Sequence, residues 1–188
     1  MSRWSHTAGF RILGISGLLA VLALGRLEGL TVADLLAEAK LNPHRFANHF
    51  ENFDYEYADG VQPGDVFLSR GKGDCDDYAI LADYVLGRRG FTTRLIHVNL
   101  VGRAAHDICD VAQAKGYLDY NLRSYFRNVQ GSGRTLREIA DKVADSFDAN
   151  WTSISVYTYT YDEDVKHLTM TVVKTEPPSA DPDRAAAR

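Results

Sequence analysis

The sequence predicts an α+β domain in which helices pack on an antiparallel β-sheet. The prediction rests on two periodicities that alternate along the 188 residues. In some segments apolar residues recur every three or four positions, as on one face of a helix; in others they alternate with polar residues, as on a strand. The helical segments are 31–40, 43–50, 75–88 and 135–147, and the strand segments are 92–101, 106–111, 116–121, 153–161 and 168–174.

Three of the helical segments form the predicted scaffold. Thr31 is the expected cap of the first helix, and Pro43 opens the second. The helix over 135–147 follows a glycine-containing loop. The first and the last of these have one apolar stripe, which is typical of helices that cover one face of a sheet.

The last two strand segments form a predicted hairpin, with its turn at 162–164. Tyr157, Tyr159 and Tyr161 lie on one face of the first strand because side chains alternate along a strand. We expect this tyrosine face to pack under a helix. The alternative is a platform that binds carbohydrate or peptide.

The most informative stretch is the transition from loop to helix at 71–82, with the sequence GKGDCDDYAILA. Asp74 is a favourable N-cap residue, and Asp77 stands three positions later, where a capping box places its acid. Cys75 therefore begins a helix and lies at the top of its buried stripe. The positive end of the helix dipole favours the thiolate, which is the nucleophilic form. The alternative is a cysteine that only fills space in a core.

A nucleophilic cysteine needs a base, and the base needs a group that orients it. His106 follows the helix and one strand, and Asp119 lies on the next short strand. This order brings a thiol on a helix against two neighbouring antiparallel strands, so Cys75, His106 and Asp119 are the candidate triad. Asn121 and Asp110 are alternatives to Asp119. Asn121 shares its strand face, and Cys-His-Asn arrangements perform the same chemistry.

These residues resemble the signature of the transglutaminase-like superfamily. The resemblance covers 46–121 and is most specific over 65–79, DVFLSRGKGDCDDYA, which looks most like the bacterial transglutaminase-like cysteine proteases. It implies a papain-like core in which the nucleophile helix packs on the antiparallel sheet. It also implies that Cys75 is the nucleophile, His106 the general base and acid, and Asp119 the residue that orients the imidazole.

The same resemblance implies a cysteine protease or amidase that acts on a peptide or protein substrate by thiol-dependent acyl transfer. The alternatives are crosslinking or deamidation of protein glutamine, and a non-catalytic module that binds peptide or cell-wall polymer. The sequence departs from the family at Ile108, where many members have an aromatic residue two places after the histidine. This departure concerns the lining of the acyl pocket rather than the triad.

Asp74, Asp76 and Asp77 place negative charge around a thiol that must itself become negative, which opposes its ionisation. Two arrangements would offset these charges. A protonated His106 would form a thiolate–imidazolium pair, or a Ca²⁺ ion would bind the carboxylate oxygens. Some bacterial transglutaminase-like proteases use calcium near this motif, so these three aspartates are the calcium candidates. No cofactor is required by the proposed chemistry.

Cys109 raises the alternatives of a disulfide with Cys75 or a zinc site that also includes His106. Cys109 is three residues from His106, an odd offset that places the two side chains on opposite faces of a regular strand. If His106 faces Cys75, then Cys109 does not, unless a bulge intervenes. His97 lies within an apolar strand and is expected to be structural.

The chain ends carry separate predictions. Basic residues precede a short apolar run at 12–24, and small residues at 23 and 25 suit cleavage, so 1–25 is a predicted signal peptide. The alternative is a buried amphipathic helix. The catalytic domain is expected over 26–175, and the proline-containing tail over 176–188 is expected to be disordered.

The compartment and the partners follow from these features. A cleaved signal implies a periplasmic or secreted protein with no stable membrane insertion after processing. The formal net charge of −4 and the scattered basic residues argue against a nucleic-acid partner.

Overall fold

A six-stranded antiparallel sheet organises the molecule, with the strand order β6-β5-β4-β3-β7-β8. The structure is a computed structural model that describes residues 29–122, 130–131, 135–161 and 163–175. The helices are α1 (Val32–Ala37), α2 (Pro43–Asn48), α3 (Gly64–Arg70), α4 (Cys75–Arg88) and α5 (Leu136–Ser146). The strands are β1 (Asp54–Tyr55), β2 (Lys72–Gly73), β3 (Thr93–Leu100), β4 (His106–Val111), β5 (Gly116–Leu118), β6 (Gln130–Gly131), β7 (Trp151–Thr160) and β8 (Val165–Val173). The described residues thus confirm an α+β fold with an antiparallel sheet.

Two helices cover the two faces of this sheet, as strand alternation allows. One core joins α4 to the inward residues Leu95, Cys109 and Leu118. The other joins α5 to Ile96 and Ile108. The short β1 and β2 pair in parallel as a separate two-stranded unit just before α4, and this unit brings the chain to the start of that helix.

Capping interactions mark the beginnings of α1 and α4. Thr31 and Asp34 form a complete capping box at α1. At α4, the backbone N–H of Asp74 donates to Oδ2 of Asp77 at 3.1 Å. This bond provides the acid-to-backbone half of the capping box that the sequence predicts, and it places Cys75 as the first residue of α4.

Several element ends differ from the sequence predictions. The first helix ends at Ala37 because Glu38 is extended. The strand predicted over 116–121 ends at Leu118, and a 3₁₀ turn follows over Tyr120–Leu122. The backbone N–H of Asn121 donates to Oδ1 of Asp119 at 2.9 Å, and this local bond satisfies a backbone donor in the turn.

The tyrosine face of the hairpin packs in part as expected. Tyr157 is buried in the core that α4 forms, and Tyr159 packs against that core, whereas Tyr161 remains partly exposed. Tyr159 and Tyr161 line a separate groove of about 480 Å³ together with Tyr84. The predicted signal segment 1–25 and tail 176–188 lie outside the described residues.

Candidate active site

Cys75 occupies the first turn of α4, just after a tightly packed glycine. Gly73, two residues earlier, has no room for a side chain: an added Cβ would lie 2.4 Å from Asp77 Oδ2 and 2.7 Å from the Phe67 ring. Glycine at this position therefore allows the capping carboxylate to reach the backbone. Cys75 is partly buried, and its thiol is free.

His106 begins β4 at the end of the sheet and is 4% exposed. Its Nε2 atom lies 2.9 Å from Oδ1 of Asp119. The ring of Phe147, just after α5, packs edge-on against the imidazole with 4.7 Å between centroids. Because Nε2 is engaged, Nδ1 is the ring nitrogen that remains for Cys75, and both residues line the same cavity.

The surroundings of His106 favour its protonated form. Burial lowers the pKa of His106, but the charge and hydrogen bond of Asp119, together with the neighbouring Cys75, raise it to about 10. An imidazole in this setting holds its second proton at neutral pH. This is the charge state that a thiolate–imidazolium pair requires.

Asp119 is the carboxylate that the structure brings to His106. It is 1% exposed, and its Oδ1 accepts hydrogen bonds from the His106 ring and from the Asn121 backbone. Its Oδ2 atom is buried and has no hydrogen-bond partner among the described residues. The local turn thus fixes the carboxylate that contacts the imidazole.

The two alternatives to Asp119, which are Asp110 and Asn121, make other contacts. Asp110 accepts two hydrogen bonds from the Arg94 guanidinium, at 3.0 and 2.6 Å, across the β3–β4 pair. Asn121 lies in the 3₁₀ turn rather than on a strand, so the alternation argument for its side chain does not apply. Asn121 lines the cavity beside Cys75 and His106 and contributes its backbone N–H to Asp119.

Each of the three aspartates at the start of α4 has a protein partner. Gln62 donates to Asp77 through its backbone and its side-chain amide, both at 2.6 Å. Asp76 pairs with Lys166 at 3.0 Å. Asp74 accepts from the Ala58 backbone at 3.3 Å.

Burial changes the ionisation of two of these acids. Burial and the neighbouring Asp76 carboxylate raise the pKa of Asp74 to about 8. Burial also raises the pKa of Asp77, although Gln62 donates to its carboxylate. The negative charge around Cys75 is therefore smaller than the sequence alone suggests.

The same cluster fits the ligand chemistry of a hard cation. One carboxylate oxygen from each of Asp74, Asp76 and Asp77 lies within 4.8 Å of the others. The Oδ1 atoms of Asp74 and Asp76 are buried and have no hydrogen-bond partner among the described residues. Carboxylate oxygens are the ligands that Ca²⁺ prefers. Asp74 and Asp76 are the better candidates because both oxygens of Asp77 already accept hydrogen bonds.

Cys109 is fully buried and free. It lies on the α4-facing side of the sheet, whereas His106 contacts Phe147 on the α5 side. The two side chains therefore lie on opposite faces, as the sequence argument requires. Cys109 faces the core that α4 forms. His106, by contrast, is the first residue of β4 and borders the same cavity as Cys75 from that end of the strand. Burial raises the pKa of the Cys109 thiol well above its usual value.

Cys75 lies between two cavities. The smaller, about 200 Å³, is lined by His106, Asn121, Phe147 and Arg103. The larger, about 300 Å³, is acidic and is lined by Asp59, Asp74, Asp76, Asp107, His97 and Lys166 among others. Both cavities are bordered by Tyr55, Ala104 and Ala105. An extended chain that crosses Cys75 would enter both.

The sequence did not single out Lys166, Asp107 or Phe147, although all three contact the site. Lys166 appears in the sequence as an ordinary lysine of a predicted hairpin, and Phe147 as the last residue of a scaffold helix. Asp107 directly follows His106, and this adjacency was the signal by which the sequence could have identified Asp107 as a residue near the site. His97, expected to be structural, places Nδ1 3.0 Å from Oδ1 of Asp107.

Comparison of the chain with protein-family models and with curated proteins found no match. Within the part of the chain that the structure describes, none of the helices has the length and apolar character needed to cross a membrane.

Proposed function

We propose that this protein is a cysteine protease or amidase of transglutaminase type, built on a papain-like core. The observation that carries the proposal is the buried His106–Asp119 hydrogen bond of 2.9 Å beside a cysteine at the start of a helix. Nucleophile, base and orienting carboxylate come from three separate elements and meet at one point. Such an arrangement is typical of acyl transfer by a thiol.

In the proposed resting state Cys75 is a thiolate and His106 an imidazolium. Asp119 accepts a hydrogen bond from the Nε2–H group of His106, which fixes the ring orientation and directs Nδ1 toward the sulfur. The raised pKa of His106, about 10, supports this charge state at neutral pH. Phe147 packs against the ring and limits access of water to it.

In the first half-reaction the Cys75 sulfur attacks the substrate carbonyl carbon, and the carbonyl π electrons move to oxygen. The tetrahedral intermediate collapses, the C–N bond breaks, and His106 gives its Nδ1 proton to the leaving amine. A thioester with Cys75 and a neutral His106 remain.

In the second half-reaction His106 removes a proton from water, and the resulting hydroxide attacks the thioester carbon. The C–S bond then breaks, the carboxylic acid leaves, and the thiolate–imidazolium pair is restored. The net reaction consumes one water molecule for each amide bond.

The backbone N–H of Cys75 supplies one donor to the negatively charged oxygen. It lies in the first turn of α4, where backbone donors have no acceptor within the helix. A single donor of this kind contributes about 2.7–4 kcal/mol to stabilisation of the transition state.

Transfer of the acyl group to an amine is the second candidate function. The acidic lining of the 300 Å³ cavity beside Cys75 favours entry of a protonated amine. Such an amine would lose its proton before it attacks the thioester in place of water, and a crosslink would result. Incorporation of a fluorescent primary amine into a glutamine-containing protein distinguishes this outcome from hydrolysis.

The test is a peptide-library cleavage assay with the purified protein, analysed by mass spectrometry. We expect cleavage by the wild type and its loss in Cys75→Ser and His106→Ala. His167→Ala is the matched control because His167 is an exposed histidine on β8, paired with Glu163. Cleavage that survives Cys75→Ser contradicts the proposal. Peptide binding without cleavage would identify a non-catalytic module instead.

We also propose that the enzyme acts after export. The support is the order of basic, apolar and small residues over 1–25. Sequencing the N-terminus of protein recovered from its native compartment should give Arg26 as the first residue. An intact Met1 on cytoplasmic protein would contradict export.

A further inference from the structure

A lysine on the outer strand of the sheet contacts acids that are adjacent in sequence to both reactive residues. Lys166 Nζ lies 3.0 Å from Oδ2 of Asp76 and 2.8 Å from Oδ2 of Asp107. Asp76 follows Cys75 directly, and Asp107 follows His106 directly. One ammonium group therefore joins the start of α4 to the start of β4.

The contact is not an exposed surface ion pair. The side chain of Asp107 is 5% exposed, and Lys166 lies over the Tyr157 ring with 5.4 Å from Nζ to the centroid. His97 binds the other oxygen of Asp107 at 3.0 Å. Partly buried ion pairs are screened less by solvent than exposed ones, so their geometry is better defined.

The charges of this network are maintained at neutral pH. Burial would raise the pKa of Asp107, but the hydrogen bond from His97 and the charge of Lys166 hold it below its usual value. Burial would lower the pKa of Lys166, but Asp107 and Asp76 raise it. Asp107 is therefore an anion and Lys166 a cation over the working range of a thiol enzyme.

We propose that Lys166 is a positioning residue for the acyl transfer proposed above. It holds Asp76 and Asp107 together, which fixes the separation of Cys75 and His106. The inference rests on the proposed function. It makes the β7–β8 hairpin part of the active site, although Lys166 is 90 residues from Asp76 in sequence.

Two consequences separate this role from simple stabilisation. Loss of the ammonium removes both ion pairs that join the start of α4 to the start of β4, so the contact of Cys75 with His106 loosens. Lys166→Arg keeps a cation at this position and should preserve the reaction, whereas adding Asp76→Asn to Lys166→Met does not rebuild the link and should not restore it. A loosened contact between Cys75 and His106 acts on turnover, so kcat should fall by a larger factor than KM changes.

The experiment measures the alkylation rate of Cys75 by iodoacetamide at pH 7 in a buffer containing EGTA, so that no added cation replaces the ammonium. The variants are Lys166→Met, Lys166→Arg, Lys166→Met with Asp76→Asn, and Lys174→Met as the control. Lys174 follows β8 and contacts Asn150 and Trp151, outside the site. Thermal unfolding of each variant shows whether it is folded.

We expect Lys166→Met to slow the His106-dependent alkylation of Cys75 roughly tenfold, because a small displacement of one reacting group from another costs a factor of this order or more. On the best library peptide, kcat should fall while KM stays nearly constant. Lys166→Arg should retain most of the alkylation rate, and the double variant should remain as slow as Lys166→Met. Lys174→Met should match the wild type. If Lys166→Met does not fold, the folded double variant takes its place in the comparison with the wild type and Lys166→Arg.

The outcomes also distinguish this inference from the proposed function. Fast, His106-dependent alkylation in the wild type with an unchanged rate in folded Lys166→Met overturns the role of Lys166 and leaves the triad intact. A double variant that recovers the wild-type rate shows that the lysine acts through charge alone and overturns its positioning role. Wild-type Cys75 that reacts no faster than in His106→Ala overturns the proposed function and this inference with it.

Discussion

The Nε2 atom of His106 lies 2.9 Å from Oδ1 of Asp119, and both side chains are almost completely buried. A buried charge is stable only when it is paired. The pair therefore explains both the raised pKa of His106 and the position of its free ring nitrogen beside Cys75.

The first prediction concerns unequal losses of activity at these two positions. His106→Ala removes both the proposed base and the proposed partner of the thiolate, so kcat should fall by at least ~10²–10⁴. Asp119→Ala leaves an imidazole that is poorly oriented, so part of the activity should remain. Steady-state kinetics on one verified peptide measures both effects.

Asp110→Asn is the control for this comparison, because Asp110 is a buried acid on β4 whose carboxylate is held by Arg94 rather than by His106. It should keep near wild-type turnover if it folds. A loss of turnover in Asn121→Ala together with none in Asp119→Ala would make Asn121 the orienting residue.

The second prediction concerns the two thiols. Iodoacetamide at neutral pH should modify Cys75 and leave Cys109 unmodified, because Cys109 is fully buried and its pKa is raised well above the usual value. Peptide mapping by mass spectrometry identifies the modified residue. In denaturant both thiols should react, which is the internal control. Labelling of Cys109 in the native protein, or a native disulfide between the two, would refute the assignment.

The sequence predicted the start of α4 because the information there is local. Asp74, Cys75 and Asp77 define a capped helix within four positions, and the structure places its first residue at Cys75. The alternation of β3 and β4 was likewise visible within single segments. The turn after β5 was not, because it depends on a bond between Asp119 and the backbone two residues later.

The position of Lys166 beside Asp76 could not be predicted from the sequence, because it depends on a strand irregularity. Val172 packs on the α5 side of the sheet, and Lys166 is separated from it by an even number of residues. Strict alternation would place both on the same side. The pairing of β7 with β8 shifts between Val156 and Tyr157, and Lys166 lies opposite Tyr159 instead. This shift turns the lysine toward α4 and Asp76.

The third prediction links the His106–Asp119 pair to stability. The pKa of His106 is raised from 6.5 to about 10 on folding, so folding favours proton binding at this group. The stabilisation that the protonated His106 gives to the folded state is complete below pH 6.5 and is lost as the pH rises toward 10. Urea unfolding of the wild type and of His106→Ala at pH 6, 8 and 10 measures the difference in free energy of unfolding.

We expect that difference to decrease steadily with pH. Comparison with His106→Ala isolates the contribution of this residue from Asp74, whose raised pKa also makes the protein less stable as the pH increases. A constant difference for His106→Ala would show that the imidazole is not held in its charged form.

The fourth prediction tests calcium at the start of α4. A cation held by Asp74 and Asp76 binds only the folded protein, so saturating Ca²⁺ should raise the melting temperature by roughly 5–10 °C at 100 times Kd. The ion competes with the proton on Asp74, whose pKa is about 8. The stabilisation should therefore be larger at pH 9 than at pH 6. Mg²⁺ should act weakly because it loses its water ligands reluctantly.

Thermal unfolding with Ca²⁺ or EGTA provides the measurement, and Asp74→Asn should abolish the shift. Asp145→Asn, which removes an exposed acid near the end of α5, should leave the shift intact. Equal melting temperatures with Ca²⁺ and EGTA at pH 9 would exclude the ion. The acids would then be balanced by protein groups alone: Lys166 at Asp76, Gln62 at Asp77 and a proton on Asp74.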